Sequence, residues 1–436
     1  MWEGRVATLG KRVRARRHEL GLTQQQLGGK DLTKGFISLI EKDRAKPSVE
    51  TLVLLAERLQ RPVSYFLEQS TPLSLKAARA GLSVAWVAVK QGDYTRAAES
   101  FQEALTLAKR NQDQNIEAEC HIGLGFALAS LRQFDLARQN VQRGKRLAEA
   151  AKAEQLLVRV SHVLGVIAYY ARDFQEAREH FLEAFRRFQG IDHPDKGLGG
   201  LLLHNLGNTY AELGDHTEAA RWYREALTLL EPTEDLHRLG MVYLELGVTH
   251  RERGDFDTAL SHLTRAENLF SVLQDTRLLG WAHTSIGITF LARDEVDQAI
   301  THLEESLRIK ERIGDDAGRG RSLTELGRAL TAKHAYPKAE KALAEADRLA
   351  RKFQDVTEAA RILLARARLR SAMGQVSDAV RFYKEAIASF ESLGMRSEVA
   401  NACNALGELL LQHNRPSVAA PYLARALQEL RASQPN

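Results

Sequence analysis

The side chains of this sequence that could do chemistry are spaced for binding rather than for making and breaking bonds. Its 14 histidines are scattered, and none forms a His-x-x-x-His pair on one helical face. His180, His216, His262 and His302 recur near expected turns, where surface polarity suffices to explain them. Lys30 follows Gly28-Gly29 but lacks the upstream glycine of a phosphate-binding loop. The two cysteines, Cys120 and Cys403, lie far apart in apolar stretches, which argues against a disulfide framework or a zinc knuckle. No Gly-x-Ser-x-Gly elbow or paired catalytic acids stand out, so no enzyme activity, metal or cofactor is expected. Charge is the informative chemistry. The first 70 residues carry 13 Lys/Arg against 8 Asp/Glu, while the remainder carries 48 of each. The whole net charge of +5 therefore sits in the first sixth of the chain. That is the footprint of a polyanion-binding head on a neutral body that binds something else.

The elements that would position those charges can be read from period and punctuation. Leu9, Val13, Arg16 and Leu20 mark one face of a first helix, and Gly21 stops it. Thr23 caps a short second helix over 24–29, and Thr33 caps a third over 34–41 with Ile37 and Ile40 inward. Pro47-Ser48 breaks the chain before a fourth helix with Leu52, Leu55, Ala56 and Leu59 inside; Pro62 opens a fifth with Val63, Phe66 and Leu67. Five short helices, two of them capped in quick succession, describe a helix-turn-helix domain over residues 1–68.

In that geometry the third helix lies in the major groove with its N-terminal residues at base edges. Lys34 is then placed to reach guanine O6/N7, and Ser38 a base or a phosphate. Gly35 permits close approach, and Phe36 either meets a thymine methyl or packs against the second helix. Thr33 belongs to the same DNA-binding set, while Arg44 and Lys46 would hold phosphates. Lys11, Arg12, Arg14, Arg16 and Arg17 form a basic face on the first helix, either solvated or touching DNA. The string from Leu9 to Leu59, with Gly-Leu-Thr-Gln opening the second helix and Thr-Lys-Gly-Phe-Ile-Ser the third, resembles the XRE family of Cro/repressor-type domains. The turn between those helices is one residue shorter than the commonest form. That resemblance assigns Gln24 to a phosphate oxygen.

After an expected linker over 69–77, one spacing recurs across 78–436. A small residue of a first helix falls at Ala85, Gly125, Gly165, Gly207, Gly247, Gly287, Gly327, Ala367 and Gly407. Its partner in a second helix falls at Ala97, Ala137, Ala177, Ala219, Ala259, Ala299, Ala339, Ala379 and Ala419. The period is 40 residues, with a single step of 42. Segments such as 206–226 and 246–266 resemble tetratricopeptide repeats, whose usual period is about 34. The fold expected is all-α: a five-helix head, then a right-handed α-solenoid of about nine hairpins. Positions two before and one after each first-helix glycine should line its concave groove. They include Val163, Val166, Asn205, Asn208, Glu245, Val248, Ser285, Ile288, Glu325 and Arg328. Of these, Asn205, Asn208, Glu245, Ser285, Glu325 and Arg328 are the candidate peptide contacts. Asn205 and Asn208 are poor helix formers that either ligate a peptide backbone or make a local polar patch. Arg321, Arg361 and Arg368 would suit a peptide carboxylate or are ordinary solvated residues.

A head of this type before a 40-residue-period body resembles the Rap/Rgg/NprR/PlcR/PrgX group of bacterial quorum-sensing regulators. The resemblance implies a transcriptional regulator that binds double-stranded DNA as a homodimer and whose groove takes a short peptide. An N-terminus without an apolar core or cleavage site, and no run of 18 apolar residues, imply a cytoplasmic protein with no membrane span. The alternative is an interaction scaffold whose groove holds a partner protein while the head acts as a tether.

Overall fold

The structure, a computed structural model, describes residues 8–66, 72–192 and 194–433. Leu67 and residues 69–71 of the expected linker lie outside them. The chain divides into two units, residues 1–194 and 195–436. The division falls in the one repeat step that is 42 residues long. All regular elements among the described residues are helical.

The head comprises α1 (Leu9–Glu19), α2 (Gln24–Gly28), α3 (Lys34–Glu41), α4 (Val49–Arg58) and α5 (Val63–Phe66). Thr23 forms a reciprocal capping box with Gln26, and the Thr33 hydroxyl accepts from the Phe36 amide at 3.2 Å. Val13, Leu27, Ile37, Ile40, Leu52, Leu55, Leu59 and Phe66 are buried together. Gly10 is where α1 crosses α3, since a Cβ there would stand 2.2 Å from the Ile40 carbonyl oxygen.

The expected basic face of α1 is largely consumed by this fold. Arg17 is buried and pairs with buried Glu41, Nε to Oε1 at 2.6 Å, and also donates to the Leu22 carbonyl. Arg12, also buried, donates to the Tyr65 carbonyl at 2.9 Å, and Arg16 donates to that of Leu59 at 2.9 Å. Lys11 and Arg14 remain exposed. Arginine suits the buried posts because its planar fork satisfies several acceptors at once.

Unit 1 continues with three hairpins, α6 (Pro72–Lys90) with α7 (Tyr94–Asn111), α8 (Gln114–Ser130) with α9 (Phe134–Ala150), and α10 (Glu154–Tyr170) with α11 (Phe174–Gln189). Unit 2 holds six: α12 (Lys196–Glu212) with α13 (His216–Leu230), α14 (Leu236–Glu252) with α15 (Phe256–Val272), and α16 (Thr276–Ala292) with α17 (Val296–Arg312). They continue as α18 (Asp316–Ala332) with α19 (Tyr336–Phe353), α20 (Val356–Ala372) with α21 (Val376–Ser392), and α22 (Arg396–Gln412) with α23 (Pro416–Ser433).

Each hairpin turns on one residue of positive φ: Gly92, Arg132, Arg172, Gly214, Gly254, Asp294, His334, Gly374 and Asn414. Around Gly92, the Gly92 amide bonds to the Val89 carbonyl and the Asp93 amide to that of Ala88, the paired bonds that close a helix C-terminus. Asp93 then caps the next helix through the Arg96 amide at 3.0 Å.

Each small pair sits where first and second helix cross, and all nine second-helix alanines are fully buried. A Cβ at Gly247 would lie 2.6 Å from Leu263 and 3.0 Å from the Ala259 carbonyl oxygen; one at Gly207 would lie 2.4 Å from Tyr223. The crossing partner is thus the alanine's backbone together with the side chain one turn beyond it.

The contrast with Gly320, where a new Cβ would find only Leu349 at 3.9 Å, gives a test. Gly247→Ala should lower the Tm of the purified chain, costing about 1–3 kcal/mol of overpacking. Gly320→Ala should leave it unchanged or raise it, by up to about 1 kcal/mol of helix propensity.

Candidate functional site

Two sets of side chains are placed for recognition. On the head, Lys34 and Gly35 are exposed at the start of α3, Ser38 is half-buried one turn on, and Leu39 is exposed beside it. Phe36 is partly buried against the core formed by α1–α5, which favours the packing alternative raised for it. Arg44 and Lys46 are exposed after α3. Thr33 spends its hydroxyl oxygen on the α3 cap. The Gln24 amide donates to Glu41 Oε2 at 2.8 Å, so Arg17, Glu41 and Gln24 join α1, α3 and α2 in one network. The Arg17 and Gln24 bonds hold the Glu41 carboxyl below its usual range against the opposing effect of burial. The helix that presents Lys34 and Ser38 is therefore fixed by a buried ion pair behind it.

The second set lies wholly in unit 2. A cavity of about 400 Å³ is lined by Arg251, Arg321, Arg328, Arg361 and Arg368, by Glu252, Glu325 and Glu398, and by Ile288, Leu364 and Phe390 among others. Five guanidinium groups thus face three carboxylates. Glu325 is 3 % exposed and lies between Arg321, at 3.2 Å, and Arg328. Burial pushes its carboxyl up, but the two arginines outweigh that and leave it ionised. Arg361 is 3.6 Å from Glu358, whose other oxygen accepts from Thr324. Burial lowers the pKa of Arg361 and Arg368, and neighbouring Arg321 and Arg328 lower them further. Like-charge crowding of this kind is relieved by a bound anion.

Counted from the first-helix small residue, the lining follows a helical face. Arg321, Arg361 and Asn401 stand six before it, Thr324 and Leu364 three before, and Glu325 and Ala365 two before. Ile288, Arg328 and Arg368 stand one after. The sequence register found the last two rows and missed the first two, together with Arg251, although a 3.6-residue period requires them. Arg321, Arg361 and Arg368, weighed as carboxylate partners, are brought together here.

The remaining sequence candidates stand elsewhere. Asn208 accepts from the Tyr223 hydroxyl at 2.6 Å, which is the local polar role. Asn205 and Ser285 are half-buried on α12 and α16. Glu245 is half-buried on α14; burial first, then the charge of Glu212, push its carboxyl up to about 7, with Arg251 opposing. Val163 and Val166 are buried in unit 1 rather than open to a groove. His180, His216, His262 and His302 are half-buried, not solvated.

The fold and these surfaces define a DNA-binding regulator built on repeats. The helix-turn-helix family matches residues 13–66, and the tetratricopeptide repeat family matches 82–114, 156–231, 200–271, 238–312, 278–352 and 364–435. The immunity repressor protein of Bacillus phage phi105 is 30 % identical over 121 residues, which is 28 % of this chain and 71 % of that protein. The chain belongs to the XRE-type helix-turn-helix regulators and carries tetratricopeptide repeats after the head. Both are recognition modules rather than catalytic ones. Among solved structures, a Rap protein complexed with competence and sporulation factor is 14 % identical, with a TM-score of 0.65 over 82 % of this chain and 99 % of that one. The apo form of the quorum sensor NprR from B. thuringiensis is 15 % identical, with a TM-score of 0.63 over 81 % of this chain and 99 % of that one. At that identity the likeness is one of fold. No described helix is long and apolar enough to cross a membrane.

Two predictions separate structural from recognising charge. Arg17→Ala leaves Glu41 buried without its cation, at a cost of about 3–5 kcal/mol, so DNA binding should be lost to every sequence. Arg14→Ala should keep the fold, and Lys34→Ala should relax base preference by about 1–3 kcal/mol in a randomised-DNA selection.

The third concerns Glu245. A carboxyl whose folded pKa is raised to about 7 contributes most below its unfolded value near 4.5 and loses that contribution as pH rises toward 7. Glu245→Gln should therefore gain Tm over the parent progressively across that window and hold the gain above it. An unchanged difference across the window would mean that Glu245 ionises freely.

Proposed function

We propose that this protein is a sequence-specific transcriptional regulator whose C-terminal unit binds a short peptide by its carboxylate, and that occupancy modulates DNA binding by a homodimer. The observation that carries the reading is the convergence of five arginines of the first helices on one cavity. Guanidinium forks match carboxylates bidentately and strengthen as water is excluded.

The rest of that face supports an extended peptide over a point anion. Six residues before the small position, α12, α14 and α16 carry Leu201, Met241 and Trp281, and α18 and α20 carry Arg321 and Arg361. Leu201 and Met241 are half-buried and Trp281 is 51 % exposed. An apolar run ending in a cationic cavity suits a peptide with apolar side chains and an acidic or free C-terminal end. Glu245 and Ser285 border the same path. On the head, Lys34 and Ser38 read bases, while Thr33, Gly35, Gln24, Arg44 and Lys46 hold position and phosphates. Two heads reading half-sites supply the specificity that one lacks. Such a regulator works in the cytoplasm.

Selection from a random heptapeptide library with free C-termini should return apolar sequences that end in carboxylates. Amidating the selected peptide, or Arg361→Gln in a chain of unchanged Tm, should weaken binding about 10- to 100-fold, at roughly 1.5–3 kcal/mol for a charged contact. Affinity indifferent to both changes would remove the cavity as anchor, and binding only to folded proteins would favour the scaffold alternative.

A further inference from the structure

Away from the arginine cavity, three helices bring together a donor set that no sequence spacing announces. His283 of α16 and His302 of α17 face each other with Nδ1 atoms 3.1 Å apart, and Glu267 Oε1 of α15 lies 3.5 Å from His283 Nε2. One donor atom from each side chain lies within 4.8 Å of the other two. We infer that Glu267, His283 and His302 form a binding site for a borderline transition-metal ion of the zinc class, which ties the hairpin α14–α15 to the hairpin α16–α17.

The donor chemistry fits. Two imidazoles and a carboxylate are a recurrent zinc set, with water completing the shell. Two nitrogens bound tetrahedrally at about 2.0–2.1 Å from zinc stand roughly 3.3 Å apart, close to the separation already present. Phe290 stacks on the His302 ring at 5.5 Å and 29°, which limits the orientations that ring can take.

Comparison along the repeats shows that folding does not demand this trio. The pair equivalent to His283 and His302 is His121 with Asn140 in the second hairpin, hydrogen-bonded at 3.0 Å. In other hairpins it is Leu203 with Trp222, Tyr243 with His262, or Leu323 with Ala342. Apolar or singly hydrogen-bonded pairs hold those hairpins. At the position facing them from the preceding second helix, Glu267 replaces what is Leu227 one repeat earlier and Leu307 one repeat later.

The test uses the full chain, stripped with a chelator and dialysed. Zinc should be withdrawn from a chromophoric indicator at one equivalent per chain, cobalt should give visible d–d bands of a four- or five-coordinate site, and zinc should raise the Tm by several degrees. His302→Asn, which copies the His121–Asn140 pairing, should keep the metal-free Tm yet lose the cobalt spectrum and weaken zinc at least tenfold. Glu267→Gln should do the same. Absence of stoichiometric binding overturns the site. So does binding that both variants retain, which would move it to other histidines such as His250 and His262. A His302→Asn chain with a lowered metal-free Tm is read through Glu267→Gln, whose undiminished zinc affinity is equally fatal.

Discussion

Everything in the repeat body depends on one steric constraint, the close crossing of each hairpin's two helices at a glycine or alanine. Where the first helix has no side chain, the second can set its alanine backbone against it and seat a Leu, Tyr or Phe one turn beyond, as Leu263 does over Gly247 and Phe181 over Gly165. The contact is tight enough that one methyl group is felt. It therefore fixes rotation as well as distance. Successive hairpins of unit 2 locked in the same rotation bring residues 40 apart together. Arg321 and Arg361 share a cavity for that reason.

The same constraint explains what could be read in the sequence. The small residues announced the hairpins, their period and their crossings, because a repeated steric need leaves a repeated residue type. Thr23 and Thr33 announced α2 and α3 because a cap is a local interaction. The lining of the cavity was half legible. Glu325 and Arg328 lie in the rows adjacent to the glycine, whereas Arg251 comes from a helix two hairpins away and meets the others only through stacking. The role of Arg17 was hidden, since nothing in a run of five basic residues marks the one that will meet Glu41, 24 residues on. The trio of Glu267, His283 and His302 was hidden for the same reason, its members coming from three helices.

Charge is used in opposite ways at the two ends of the chain. In the head, three of five arginine and lysine side chains on α1 are turned inward to satisfy carbonyls and one buried acid, so the net positive charge overstates what is free to meet phosphate. Lys11, Arg14, Lys30, Lys34, Lys42, Arg44, Lys46 and Arg61 remain exposed. Unit 2 as a whole carries 31 Lys/Arg against 34 Asp/Glu, yet its charge is not evenly spread. Arginines outnumber acids inside one cavity, and the compensating acids lie on exposed helix faces where water screens them. A slightly acidic total thus conceals a cluster of five arginines.

The head does not hang freely from its first hairpin. Glu103 of α7 accepts the Ser64 amide at 3.3 Å at the start of α5, and Arg110 of α7 donates to the Ser64 carbonyl at 2.7 Å. Burial raises the Glu103 carboxyl, and the bonds from the Val63 and Ser64 amides oppose this, so the contact costs desolvation that only α5 in place repays. The contact grips backbone atoms at the end of a four-residue helix, and α5 in turn holds Arg12 through the Tyr65 carbonyl. Hydrogen bonds thus link α7 to α5, and α5 to α1. Two charged side chains reaching from the repeat into the head, Glu103 and Arg110, form the joint between α7 and α5.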